Sequence, residues 1–185
     1  MVTATDVRPA AKEQVESLGA KFVAVMDDEF KAAETAGGYA KVMSDDYQAK
    51  QAALVSDHIR KQDIVITTAL IPGRPAPRLV SAEQVASMKP GSVLVDLAVE
   101  QGGNIEGVQV GRICEIGGVK IVGIPNLPGR IAADASALYA RNLTAFAALL
   151  LGADGKLELD LEDEILKAAL ITHGGKIVHP ALIPA

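Results

Sequence analysis

Apolar residues along this chain fall in short continuous blocks, separated by stretches where they recur at helical spacing. Residues 2–6 read as a short buried strand, and Arg8-Pro9 then opens a helix with proline in its first turn. Ala11, Val15 and Leu18 give that helix one apolar face and Gly19 ends it, after which residues 21–25 resume as a strand. The result is a β-α-β unit at the spacing of a right-handed crossover, half of a mononucleotide-binding unit. From Met26 to Met43 no period is clear, which predicts a long excursion with a partial helix; loops of this length are usually functional or disordered.

Ser44 followed by Asp45 and Asp46 predicts a helix start, with Tyr47, Leu54, Val55, His58 and Ile59 marking the buried face. Residues 63–69 are a second apolar strand, followed by the stiff loop Pro72-Gly73-Arg74-Pro75-Ala76-Pro77. Ser81 and Gln84 form a capping-box pattern for a short helix ending at Met88, and residues 92–98 read as a third strand running into the loop Gln101-Gly102-Gly103-Asn104. Short strands are predicted at 112–115 and 119–123, and a helix at about 136–150 with Leu138, Leu143, Phe146 and Leu150 turned inward. In the tail, 156–161 alternates as a strand, 163–170 reads as helix or strand, and 171–178 as a hairpin around Gly174-Gly175.

Fully apolar strands alternating with amphipathic helices predict an α/β fold with a doubly wound parallel sheet, helices on both faces and ligands at the carboxyl ends of the strands. A dinucleotide-binding domain is expected over 1–152, followed by a C-terminal segment over 153–185.

Composition narrows the function. At 185 residues, with 49% hydrophobic and 22% charged residues, the chain is long enough for one sizeable core and far from a disordered composition. A net charge of -5 with no basic run, and no Trp, argue against nucleic acid as a partner. The single Cys114 excludes an intrachain disulfide, and no His/Cys cluster has zinc spacing. The longest apolar stretch, 145–151, is too short to span a bilayer, and no signal peptide is evident.

The candidate chemistry therefore sits at strand ends. Asp6, an acid closing a strand just before a helix, stands where a dinucleotide fold places the carboxylate that receives the adenosine ribose hydroxyls; it equally suits a helix cap. A carboxylate there repels a 2′-phosphate and favours NAD(H) over NADP(H), although Arg8 offers a countercharge. Glu100 suits either an acid/base group or a solvated loop carboxylate, and Asp96, inside an apolar strand, reads as a hydrogen-bonded structural acid. His58, His173 and His179 receive no chemical role, and the acidic run 160–164 reads as a solvated face.

Several spellings carry a family resemblance: Thr5-Asp6-Val7-Arg8, Glu34-Thr35-Ala36-Gly37-Gly38-Tyr39-Ala40, Thr67-Thr68-Ala69-Leu70-Ile71-Pro72-Gly73, and Val95-Asp96-Leu97-Ala98-Val99-Glu100-Gln101-Gly102-Gly103-Asn104. With Ala132-Ala133-Asp134-Ala135-Ser136 they make the chain resemble, nearly end to end, the NAD(H)-binding alpha component of proton-translocating nicotinamide nucleotide transhydrogenases. The resemblance implies hydride transfer from NADH to NADP+ held on a partner component, coupled to proton passage through a membrane component. No protein acid or base is then required, because the site only positions one nicotinamide against the other.

The same resemblance implies cofactor contacts from Asp6, Val7 and Arg8 at the adenosine ribose, from Gly38 and Gln51 around the excursion, and from Leu70 at the strand-end turn. Tyr39 would ride on a loop that closes over the nucleotide. It also implies a cytoplasmic location peripheral to the inner membrane and a homodimer in the complete form. In the family an N-terminal subdomain, a first strand and a glycine-rich turn come before the segment that matches Met1, so the chain is expected to be an N-terminally truncated piece, inactive and poorly stable alone. Its tail would then return to that absent subdomain. Two alternatives stay open: an alanine dehydrogenase-like oxidoreductase with Glu100 at the active-site acid position, and a non-catalytic remnant or assembly module.

Overall fold

The structure is a computed structural model that describes residues 1–33, 43–71, 73–179 and 182–183. It divides into two compact units, Met1–Pro125 and Asn126–Ala185. The division falls ahead of the long helix that the sequence pattern assigns to the first domain.

The first unit opens with β1 (Thr3–Ala4), α1 (Ala10–Ser17) and β2 (Lys21–Phe22), and β1 and β2 pair in parallel with Thr3 opposite Lys21. Pro9 caps α1, where a missing N–H costs nothing, and Gly19 at φ 82° stops the chain behind it. Both strands are shorter than the sequence suggests. The excursion then begins with α2 (Asp28–Lys31), whose N-cap Asp27 accepts from Phe30 N. Next comes α3 (Asp45–Ile59), capped by Ser44 Oγ accepting from Tyr47 N, a device worth about 1 kcal/mol. Phe30, Ala33, Met43 and Tyr47 form a buried cluster with Phe22, Ala24 and Val25 against it.

The main sheet holds β3 (Ile64–Thr67), β4 (Val93–Asp96), β5 (Arg112–Ile116) and β6 (Val119–Gly123) in the order β3-β4-β6-β5. The first three run parallel and β5 is antiparallel. Between β3 and β4 lies α4 (Ala82–Ala86), whose capping box is complete: Gln84 N donates to Ser81 Oγ and Ser81 N to Gln84 Oε1.

Ile59, Val80, Val85, Met88, Leu94, Ile105, Val119 and Ile121 are the buried core of this sheet. Each fully buried aliphatic here contributes about 1.5–3 kcal/mol. On this face α3 contributes Ile59 and α4 contributes Val85 to the core. Pairing puts Ile66, Val95, Val122 and Ile113 on the other face, where Ile66 is 61% and Ile113 63% exposed. Strands β1 and β3 belong to different sheets, and no ladder joins them among the described residues.

The second unit contains α5 (Leu127–Arg130), α6 (Ala132–Ala148), α7 (Glu164–Ala169) and the hairpin of β7 (Thr172–His173) with β8 (Lys176–Ile177). Helix α6 starts one turn earlier than predicted and has no fully buried residue; of the expected inward face Leu138 and Leu143 are exposed, while Phe146 and Leu150 are half-buried. The predicted strand at 156–161 is also corrected. Only an isolated bridge from Leu151 to Leu157 forms, and Asp160 Oδ1 takes Glu162 N in a turn that ends any extension.

Candidate functional site

Strands β1, β3 and β4 end on loops that carry the sequence-derived site residues. At the end of β1, the Asp6 carboxylate folds back on Arg8: Arg8 N donates to Oδ1 at 2.9 Å, Nε to Oδ1 at 3.0 Å and Nη2 to Oδ2 at 2.7 Å. The backbone bond is an Asx-type turn and the guanidinium contact a bidentate fork, so one residue both shapes the turn and holds the cation. Burial works against ionisation of Asp6, but the side-chain bond, the backbone bond and the charge of Arg8 outweigh it and hold the carboxyl below its ordinary range. The Arg8 side chain is 49% and the Asp6 side chain 29% exposed, so the pair remains open to solvent and to a ligand.

Gln51, near the middle of α3, reaches the same place. Its Oε1 accepts from Val25 N at 3.1 Å, and its Nε2 donates to Thr5 Oγ1 at 2.9 Å. One carboxamide thereby ties the segment after β2 to the residue before Asp6. A second tie from the same helix, Thr3 Oγ1 to His58 Nε2 at 2.9 Å, fixes the start of β1 and gives His58 a structural role. The structure thus brings Asp6, Val7, Arg8 and Gln51 together. Gly38 and Tyr39 lie outside the described residues.

Leu70 stands at the end of β3, 56% exposed. The residue before it is held by a side chain that the sequence pattern assigns only to a loop. Asn104 Oδ1 accepts from Ala69 N at 3.0 Å, and its Nδ2 donates to Ala69 O at 2.9 Å and Pro77 O at 2.8 Å. Asn104 is completely buried, and so is Asp96, whose carboxyl oxygens accept from Ala98 N, Asn104 N and Ile105 N at 2.7–3.0 Å. That agrees with the structural reading of Asp96. Glu100 is exposed in a single 3-10 turn, Val99–Gln101. The signal for Asn104 was present in the sequence: an Asn directly after two glycines, eight residues beyond an acid that closes an apolar strand.

Thr67 Oγ1, paired in register with Asp96, is buried and has no hydrogen-bond partner among the described residues. No group of three or more His, Cys, Asp or Glu among them is placed to hold a metal ion.

Comparison with known proteins places the chain in a family. The family model described as "Alanine dehydrogenase/PNT, C-terminal domain" matches residues 1–180. An NAD(P) transhydrogenase alpha-subunit chain of Rhodospirillum rubrum is 55% identical over 183 residues, covering 98% of this chain and 48% of that protein. Alanine dehydrogenase 1 of Staphylococcus aureus is 34% identical over 154 residues, 77% of this chain and 41% of that protein. Among solved structures, the transhydrogenase of Sinorhizobium meliloti superposes with a TM-score of 0.70 at 60% identity, over 96% of this chain and 45% of that one. The chain spans about half the length or less of these relatives. With its parallel-dominated Rossmann-type sheet and these matches, the chain belongs to the alanine dehydrogenase/PNT C-terminal domain family.

Proposed function

We propose that this chain forms the NAD(H)-holding part of a proton-translocating NAD(P) transhydrogenase, working with a partner component that holds NADP(H) and a membrane component that passes protons. The observation that carries the reading is the cluster at the ends of β1 and β2, where Gln51 fastens Thr5 to Val25 and leaves the Asp6–Arg8 pair solvent-facing. The names of the relatives at 55% and 60% identity support it.

The residues present fit a nicotinamide nucleotide. Ribose hydroxyls are hydrogen-bond donors and the Asp6 carboxylate offers acceptors, with its ionised form favoured by Arg8. Val7 adds backbone to the same turn, and exposed Leu70 at the end of β3 offers an apolar contact for a ring. Gly38 and Tyr39 complete the proposed set from the excursion. When bound, NADH supplies the hydride. The chain's own task is to bind and orient, since direct transfer between two nicotinamides asks for no protein proton donor. No helix among the described residues is long and apolar enough to cross a membrane, and the reading makes the chain a cytoplasmic component peripheral to the inner membrane through its complex.

Nucleotide titration of the full-length protein tests the reading. NADH should bind at least about ten-fold more tightly than NADPH, because Asp6 meets the 2′-phosphate as a like charge. Equal affinities would remove Asp6 from the site. NADH oxidation that depends on pyruvate and ammonia would favour an alanine dehydrogenase activity instead.

A further inference from the structure

Asn104 is buried, and its side-chain carboxamide bonds the end of β3 and the loop that follows it. Ala69 lies two residues beyond the last ladder residue of β3, so its N–H and C=O have left the sheet. The Asn104 carboxamide receives the one and donates to the other, as a neighbouring strand would, and a further donor reaches Pro77 O. Its main chain is equally engaged: Asn104 N donates to Asp96 Oδ2, while Asn104 O accepts from Leu79 N at 2.8 Å and Val80 N at 3.1 Å.

The two glycines before it are what deliver it. Gly102 and Gly103 have φ of 94° and 78°, a left-handed pair that reverses the chain so that Asn104 N meets Asp96. A Cβ at Gly103 would lie 2.8 Å from Asp96 Oδ2 and collide with Val108 Cγ1. A buried carboxyl, a turn that only glycine fits and a fully bonded Asn thus converge on Ala69, the residue that carries Leu70.

We propose that Asn104 is a positioning residue for the nucleotide site: it holds the Ala69–Leu70 end of β3 in the shape that lets Leu70 meet the nucleotide, with Asp96 and the glycine pair fixing Asn104 in turn. This rests on the reading of Leu70 as a nucleotide contact, so the test separates the two claims. The first arm needs no nucleotide. In Asn104→Ala the Ala69 amide should exchange at least about ten-fold faster than in the unmodified protein, while Leu94 and Ile121 in the core strands keep their protection. Unchanged Ala69 exchange overturns the clamp.

The second arm is a double-mutant cycle on NADH affinity in the full-length protein, measured well below the unfolding transition. Asn104→Ala and Leu70→Ala should each weaken NADH by about ten-fold, and the double variant should be less than about two-fold weaker than either. Multiplied effects would show that Asn104 does not act through Leu70 and would overturn the positioning role. If the unmodified protein binds no NADH, the nucleotide reading falls and the positioning role with it, and Ala69 exchange alone decides whether the clamp exists. Asn104→Asp keeps the acceptor for Ala69 N but removes the donors, so it should restore Ala69 amide protection without restoring NADH affinity fully.

Discussion

Gln51 donates to Thr5 Oγ1 across 46 residues of sequence at 2.9 Å. Its other carboxamide atom accepts from Val25, so a single side chain on α3 ties the ends of two parallel strands side by side. Parallel strands as short as β1 and β2 carry few ladder bonds, and this cross-tie fixes the turn in which Asp6 sits.

Replacing Gln51 with Leu should therefore loosen the Asp6 turn while leaving the main sheet intact. The expected result is a loss of about ten-fold in NADH affinity, with a stability loss of about 1 kcal/mol from unpairing Val25 N. Fluorescence titration and urea unfolding read the two effects. A stability loss without any change in affinity would separate Gln51 from the nucleotide.

The Asp6–Arg8 pair predicts a titration. Asp6 is held below its ordinary range in the folded state, so its contribution to stability is present above the unfolded carboxylate value of about 3.9 and is lost as pH falls through the folded value. The pair is open to solvent, which limits its worth to under about 1 kcal/mol. In Arg8→Ala the burial of Asp6 and the backbone bond from residue 8 stay while the guanidinium goes, so the Asp6 carboxyl should titrate higher than in the unmodified protein. Carbon NMR of the Asp6 carboxyl measures this, and an unmoved midpoint would disprove the pairing.

Gly103→Ala should be among the most damaging single-methyl changes in the first unit. At φ 78° an L side chain is strained, and the added Cβ meets Asp96 Oδ2. A loss of more than about 1 kcal/mol is expected from backbone strain alone. Gly111→Ala shares a φ of 75° but has open space around it, so it isolates the strain. Equal losses in the two variants would mean that contact with Asp96 adds nothing.

What was legible in the sequence was mostly local. The caps at Ser44 and Ser81 were readable because a hydroxyl three residues ahead of an amide creates its own bond whatever surrounds it. The β1-α1-β2 order and the hairpin around Gly174-Gly175 were readable for the same reason. Strand length was not, because a ladder ends where its partner ends, and neither β1 nor β2 reaches the five residues its apolar block suggests. The alternation at 156–161 misled because a period of two records which face a residue takes, while only a neighbouring strand makes a sheet. The inward face of α6 was inferred from its spacing alone, and spacing does not supply a surface to bury it. At the site, Asp6 was marked by its strand-end position with Arg8 beside it, Gln51 was named by resemblance, and the fold gathers all three, whereas Asn104 was assigned only to a loop. The glycine pair and the acid eight residues before it mark a tight turn at Asn104, but its partner Ala69 lies 35 residues away, so the turn was legible and the clamp was not.

If this chain holds NADH for direct transfer to NADP+ on a partner, the hydride itself can be followed. The full-length protein, combined with the NADP(H)-binding and membrane components, would be given NADH carrying deuterium at the transferable C4 position together with NADP+. Direct transfer gives NADPH that carries the deuterium with none released to water, because no protein group or solvent proton then stands between the two rings. NADPH free of deuterium, or no NADPH at all while NADH is consumed only with pyruvate and ammonia, would contradict it.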